Sequence, residues 1–209
     1  MSDRKGEGVT RRGFIRALGT TAAALPVVAG VTEITGLDAQ AQSMPVGKGQ
    51  ATRAVTLNVN ETVYKLQVEP RRMLADVIRK ELGLTGTKVA CDHASCGACT
   101  VLMENRAVFA CHMLAAQAEG KPIETIEQLA EGEKLHPIQE AFIEHDALQC
   151  GFCTPGMIMA IKGVLDRHRA ATREEIRHAI SGNLCRCGAY NHILDAAVAA
   201  QQKMKTTRG

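Results

Sequence analysis

The chain has 209 residues, 45% of them apolar and 22% charged, with a net charge of +3. This is the make-up of a globular protein of one or two domains, and it excludes disorder throughout. Aromatic residues amount to 3% and Trp is absent, which excludes stacking platforms for single-stranded nucleic acid, and the small charge excess supplies no phosphate-tracking stripe.

Residues 1–42 read as an address rather than as part of the fold. Arg11 and Arg12 precede Phe14 and Ile15, and an apolar run from Ala17 to Val31 follows, broken by Gly19, Pro26 and Gly30. The run is shorter than the ~20 residues of a membrane-spanning helix. Small residues at Ala39 and Ala41 suit cleavage after Ala41. The segment Thr10-Arg11-Arg12-Gly13-Phe14-Ile15 resembles the bacterial twin-arginine export signal. That resemblance implies a periplasmic protein that crosses the membrane already folded, with any metal centre built beforehand. An unfolded route would deliver free thiols to a compartment that favours disulfides. An uncleaved, membrane-tethered leader is the alternative.

Residues 43–53 form a loose linker with Pro45, Gly47 and Gly49. Val55, Leu57 and Val59 then alternate with polar residues, as do Tyr64, Leu66 and Val68, so a hairpin turning at Asn60-Glu61 is expected. Met73, Leu74, Val77, Ile78 and Leu82 have helical spacing, with Gly83 as the stop. A loop rich in Gly and Cys covers residues 83–99. TVLMEN and RAVFA predict two more strands turning at Asn105-Arg106, and a short strand is expected around Ile123-Glu124-Thr125.

From Glu127 onward the pattern is helical. His136-Pro137-Ile138 opens one segment, with Ile138, Ala141, Phe142 and Leu148 on one side. Thr154 as N-cap and Pro155 at the first helical position open a second, lined by Met157, Ile158, Ile161, Val164 and Leu165. Thr172-Arg173-Glu174-Glu175 has the form of a capping box before a third. A last helix starts at Asn191. The expected architecture is α+β: a strand-rich domain over 54–126, an all-α four-helix domain over 127–204, and a tail at 205–209.

The eight cysteines fall into two groups of four. Cys91, Cys96 and Cys99 have the C-x4-C-x2-C spacing of plant-type [2Fe–2S] loops, with Cys111 further on as a fourth ligand. Four thiolates must wrap one compact di-iron rhomb, and Gly97 with the small Ala98 lets the backbone come close. Cys150 and Cys153 pair with Cys185 and Cys187 at helix boundaries, where the macrodipole favours thiolates. Gly151 and Gly188 thin the backbone there. Structural zinc favours repeated C-x2–4-C pairs and fits these spacings poorly. Cys-x-Cys and Cys-x2-Cys neighbours rarely meet the geometry of a cross-link.

The segments GTKVACDHASCGACTV, QCGFCTPGM and GNLCRCGAY resemble the small iron–sulfur subunit of the molybdenum hydroxylases, the family of xanthine dehydrogenase and aldehyde oxidoreductase, over roughly residues 52–200. The resemblance implies a β-grasp, plant-ferredoxin-like domain with one [2Fe–2S] cluster on Cys91, Cys96, Cys99 and Cys111. A four-helix domain would hold the other on Cys150, Cys153, Cys185 and Cys187. It further implies a large partner subunit binding molybdopterin as the cytosine dinucleotide, with Gln149 and Cys187 approaching the pterin. Electrons from an aldehyde or N-heterocycle oxidised on that partner would pass through both clusters to a flavin subunit or a cytochrome c. Many family members have Gly at the positions of Ala90 and Ala94, where a positive φ would strain an L residue. Gly188-Ala189 stands where Thr-Gly is more usual.

Several residues tempt without convincing. His93 lies inside the first loop, where four cysteines already suffice, and His112 follows Cys111 as a backbone partner. Met157 and Met159 are helix filling. Arg186 and Lys88 read equally as cluster-tuning charges or solvated groups. No nucleophile arrangement, P-loop or dinucleotide fingerprint occurs. The rival reading is a free-standing ferredoxin-like carrier, which would present a strongly charged docking face.

Overall fold

The computed structural model describes residues 51–206. The leader of residues 1–42, with Arg11 and Arg12, and most of the linker 43–53 lie outside the described residues.

Strands β1 (Arg53–Val59) and β2 (Thr62–Val68) pair antiparallel in full register, Val59 opposite Thr62. Asn60 and Glu61 both take positive φ, 51° and 62°, the conformation that matches a two-residue turn to the strand twist. Alternation buries Val55, Leu57 and Val59 on one face. Helix α1 (Leu74–Asp76) widens at once into a π-helical segment over Val77–Glu81, closed by the Leu82 N–H donating to Val77 O. The helical spacing is therefore realised, but not as one regular helix. Leu74, Ala75, Val77 and Ile78 are buried against β1.

Strands β3 (Thr100–Met103) and β4 (Arg106–Phe109) form a second hairpin. Its turn is Glu104-Asn105, at φ 51° and 61°, one residue earlier than expected, because Arg106 pairs with Met103. Strand β5 (Pro122–Glu124) joins the hairpins, parallel to β1 and antiparallel to β3, giving the order β2-β1-β5-β3-β4.

Four helices follow: α2 (Pro137–Glu144), α3 (Thr154–Arg167), α4 (Arg173–Ala179) and α5 (Tyr190–Thr206). His136 caps α2, its Nδ1 accepting from the Ile138 N–H, and Thr172 with Glu175 forms the expected capping box on α4. Two expectations fail here. Leu148 lies beyond the end of α2 and is exposed, since His145 already terminates the helix. Thr154 is the first residue of α3 rather than its cap; Cys153 takes that position, and the buried Thr154 Oγ1 caps nothing.

The chain is α+β with two apolar cores. One joins the sheet to α1; the other holds Phe142, Met157, Ile161, Leu165, Ile176 and Ile193 from the four helices. Strand β3 serves both, with Val101 and Met103 on the first face and Leu102 on the second, as period-two geometry dictates. Helix α3 is buried nearly all round, beyond the single face expected of it, because it lies between the sheet and the other helices. Gly156 and Gly163, two turns apart on one face, make this approach possible. A Cβ on Gly156 would sit 2.4 Å from Gly97 O, and one on Gly163 would sit 2.8 Å from Leu102 Cδ2. Among the described residues, no helix is long and apolar enough to cross a membrane.

Candidate iron–sulfur centres

Of the first group of cysteines, Cys111 follows β4, and Cys91, Cys96 and Cys99 sit in the loop between α1 and β3. Arg79 pins the start of this loop, its Nη1 donating to Thr85 O at 2.8 Å and to Thr87 O at 2.7 Å. The Gly86 N–H donates to Glu127 Oε1 at 2.7 Å. Asp92, Ala94 and Gly97 then take left-handed φ of 57°, 60° and 68°, coiling the chain so that amides turn inward. The Ala94 N–H donates to Cys111 Sγ and the Ser95 N–H to Cys91 Sγ, both at 3.3 Å. The Cys111 N–H donates to Cys99 Sγ at 3.4 Å. Of Ala90 and Ala94, Ala94 carries a positive φ and Ala90 does not.

Cys99 and Cys111 are each 2% exposed; Cys91 and Cys96 reach the surface in part. The thiols neighbour one another in a chain, Cys91 with Cys96, Cys96 with Cys99, and Cys99 with Cys111, although among the described residues no three of them close around a single metal-ion position. The His93 backbone N–H foremost pulls the Cys91 thiol down to about 6, whereas burial pushes the Cys99 thiol up to about 12. His93 itself is exposed and turns Nδ1 back to Cys91 O, away from any ligand role.

The second group draws on two links. Cys150 and Cys153 lie between α2 and α3; Cys185 and Cys187 lie between α4 and α5. Cys150 interacts with Cys187 and with Cys185, and Cys153 with Cys185, so these four are neighbours in the same way. Burial pushes the Cys153 thiol up to about 12. The Phe152 N–H lowers Cys150. At Cys185 burial acts upward, but the Ala189 amide, the Cys153 thiol and the Gly188 and Cys187 amides together outweigh it. The Cys185 N–H donates to Tyr190 Oη at 2.9 Å. Cys150 and Cys187 are exposed, as is Gln149 beside them.

Both quartets suit a bound metal cluster. All eight cysteines are free thiols, and each quartet combines at least one lowered thiol with one that burial holds protonated. Only added positive charge lets four such neighbours ionise together. Amides aimed at sulfur are the support that iron–sulfur ligands need. The glycines act differently from expectation. Gly151 and Gly188 have open space where a Cβ would stand, and are required by φ of 77° and 81°. Gly97 makes room for the other centre: a Cβ there would sit 2.6 Å from Asn183 Cγ. Asn183, buried beside Cys185, was not singled out from the sequence, although it lies within GNLCRCGAY.

Two cores, each with four free cysteines in the loops beside it, define the class of a protein fitted for two iron–sulfur centres. The comparisons agree: residues 57–134 match a 2Fe-2S iron-sulfur cluster binding domain, and residues 125–198 match a [2Fe-2S] binding domain. The chain is 44% identical to the nicotine 6-hydroxylase small subunit of Paenarthrobacter nicotinovorans, over 74% of this chain and 93% of that one. It is 39% identical to the aldehyde oxidoreductase iron-sulfur-binding subunit of Escherichia coli O157:H7, over 95% and 90%. Quinoline 2-oxidoreductase from Pseudomonas putida 86 superposes with a TM-score of 0.71 at 42% identity, covering 75% of this chain and 98% of that chain. The protein belongs to the small [2Fe–2S] subunits of the molybdenum hydroxylases. It carries two [2Fe–2S] clusters, and the substrate site of such an oxidoreductase is on another chain.

Proposed function

We propose that this chain relays electrons from a molybdopterin-binding large subunit, through its helical and then its sheet domain, to an external acceptor. Cys150, Cys153, Cys185 and Cys187 hold the cluster nearest the pterin in a four-helix bundle. Cys91, Cys96, Cys99 and Cys111 hold the outward cluster in a β-grasp domain. The clusters supply one-electron chemistry when bound, each toggling an iron between ferric and ferrous. The protein's own part is to fix sulfur positions, aim amides at them and keep water from Cys99, Cys111 and Cys185.

The observation that carries this reading is the exposure of Cys150 and Cys187. Around them in sequence stand Leu148, Phe152, Leu184 and Tyr190, all exposed large side chains. Apolar surface of this kind next to two exposed thiols is suited to burial by a partner. Gln149 and Cys187 lie on that surface and are the groups that approach the pterin, which we take to be the cytosine dinucleotide form.

Residues 1–42 direct the folded chain to the periplasm by the twin-arginine route. In that compartment a cytochrome c or a flavin subunit, rather than NAD, takes the electrons. The substrate is an aldehyde or an N-heterocycle, as the nicotine, aldehyde and quinoline enzymes among its relatives suggest. Two measurements test the proposal. Purified protein should contain about four irons per chain and give two S = 1/2 EPR signals on reduction; zinc, or fewer than two signals, overturns it. Replacing Arg11 and Arg12 together by Lys should leave the cluster-loaded chain in the cytosol, and unchanged export would refute the route.

A further inference from the structure

The two cysteine loops are joined through one buried side chain. Asn183 is 4% exposed and sits between the end of α4 and Cys185, its N–H donating to Ile180 O at 2.8 Å. Its Nδ2 reaches across to the first loop, donating to Gly97 O at 2.9 Å and to Thr100 Oγ1 at 3.0 Å. Thr100 Oγ1 in turn donates to Gly97 O at 2.6 Å. The next residue, Leu184, donates its N–H to Cys96 O at 2.9 Å. Two consecutive residues of one loop thus bind three residues of the other, and Cys96 and Cys185 lie at the two ends of the junction. There is no slack in it. A Cβ on Gly97 would stand 2.7 Å from Gly182 O as well as 2.6 Å from Asn183 Cγ.

We infer that Asn183 is a positioning residue for electron passage between the clusters, an inference that rests on the ligand sets proposed above. Asn183 touches no sulfur. It acts through Gly97, whose carbonyl it holds, and through Leu184, whose amide it aims at Cys96. Together these tie the backbone at Cys96 to the segment that leads into Cys185, one ligand of each centre. Nothing is bonded or protonated in the transfer: one electron leaves the helical centre and one arrives at the sheet centre. The protein acts on this transfer through the cluster potentials and through geometry, and Asn183 acts on the geometry. A neutral amide suits the task because both of its targets are oxygens; a carboxylate would face the Gly97 carbonyl without a proton to share.

The test uses the full chain carrying both clusters, reduced and frozen. In wild type the two S = 1/2 centres should split each other's EPR lines, since spin–spin coupling depends on their separation and orientation. N183A, and N183D at equal volume, should lose or blur this splitting while retaining the iron content and the g-values of each centre. T100V, which removes one of the two acceptors, should show a partial loss. A purely structural role would lower thermal stability without changing the splitting, so an unchanged splitting in both Asn183 variants overturns the inference. Loss of cluster iron in both Asn183 variants would assign Asn183 to cluster retention and overturn it equally. Failure of the wild-type chain to show two signals would instead refute the ligand sets, a different outcome.

Discussion

In the sheet half, the cysteines are enclosed by their own chain: one loop wraps three of them, Cys99 and Cys111 are buried, and inward-turned amides reach Cys91, Cys99 and Cys111. In the helical half, four cysteines come from two separate links, and Cys150 and Cys187 remain exposed. The difference teaches that the halves solve unlike problems. The first quartet is complete within this polypeptide. The second is closed on the protein side by Cys153 and Cys185 and left open on the other, where exposed Leu148, Phe152, Leu184 and Tyr190 stand ready for a partner.

The contrast can be broken most sharply by removing one thiol at a time. C99S and C185S should each abolish one EPR signal, spare the other, and lower the iron from about four to about two per chain; loss of both signals from either change would mean the halves are not separate sites. In metal-stripped protein freed of its partner, alkylation followed by peptide mapping should label Cys150 and Cys187 first and Cys99 and Cys111 last.

The seam between the halves comes next in size. G156A places a Cβ against Gly97 O, backbone that cannot swing aside, and overpacking of this kind costs about 1–3 kcal/mol. Chemical denaturation followed through the visible absorption of the clusters should show both halves weakened. Lys162 on α3 spans the same seam, donating to Glu124 on β5 at 2.9 Å and to Asp166 at 2.7 Å. With only 14% of its side chain exposed, it holds its proton more tightly than usual: burial opposes the charge, but the two carboxylates outweigh it. K162M should cost about 1–3 kcal/mol, more than an exposed pair is worth, because Glu124 is left partly buried and unmatched.

Smaller effects should be confined to one half. A94G relieves a left-handed alanine in the first loop and should raise the thermal stability of the sheet half by about 1 kcal/mol. In the helical half, the Thr172 amide and hydroxyl hold the Glu175 carboxyl below its ordinary range. A carboxyl lowered on folding contributes stability that is present above its unfolded value and lost as pH falls through its folded value. Acid should therefore loosen the start of α4, and E175Q should remove that part of the acid dependence of helix content measured by circular dichroism.

What the sequence disclosed, and what it hid, follows from how far apart the interacting residues lie. The hairpin at Asn60-Glu61 and the capping box at Thr172 are local devices, written in a few adjacent residues, and both form as read. The C-x4-C-x2-C and C-x2-C spacings were legible because ligand spacing is a local record of metal geometry, whereas the grouping of Cys150 and Cys153 with Cys185 and Cys187 joins two separate links. Leu148 misled because its apolar character belongs to an exposed surface rather than to the helix before it. Thr154-Pro155 misled because Cys153 already occupies the cap position. Asn183 was invisible as a functional residue: its partner Gly97 lies 86 positions away, and nothing in either segment alone announces the contact. Gly97 stood out in the sequence as a close-approach residue, but its small size serves the contact with Asn183.

The strand order carries a consequence for synthesis. The last strand of the sheet to leave the ribosome, β5, lies at its centre, flanked by β1 and β3. A nascent chain can close each hairpin as it emerges, but no strand pairs with both until Pro122–Glu124 is available. By then Cys91, Cys96, Cys99 and Cys111 have all been made, so the mould around them sets only after every thiol that belongs in it is present.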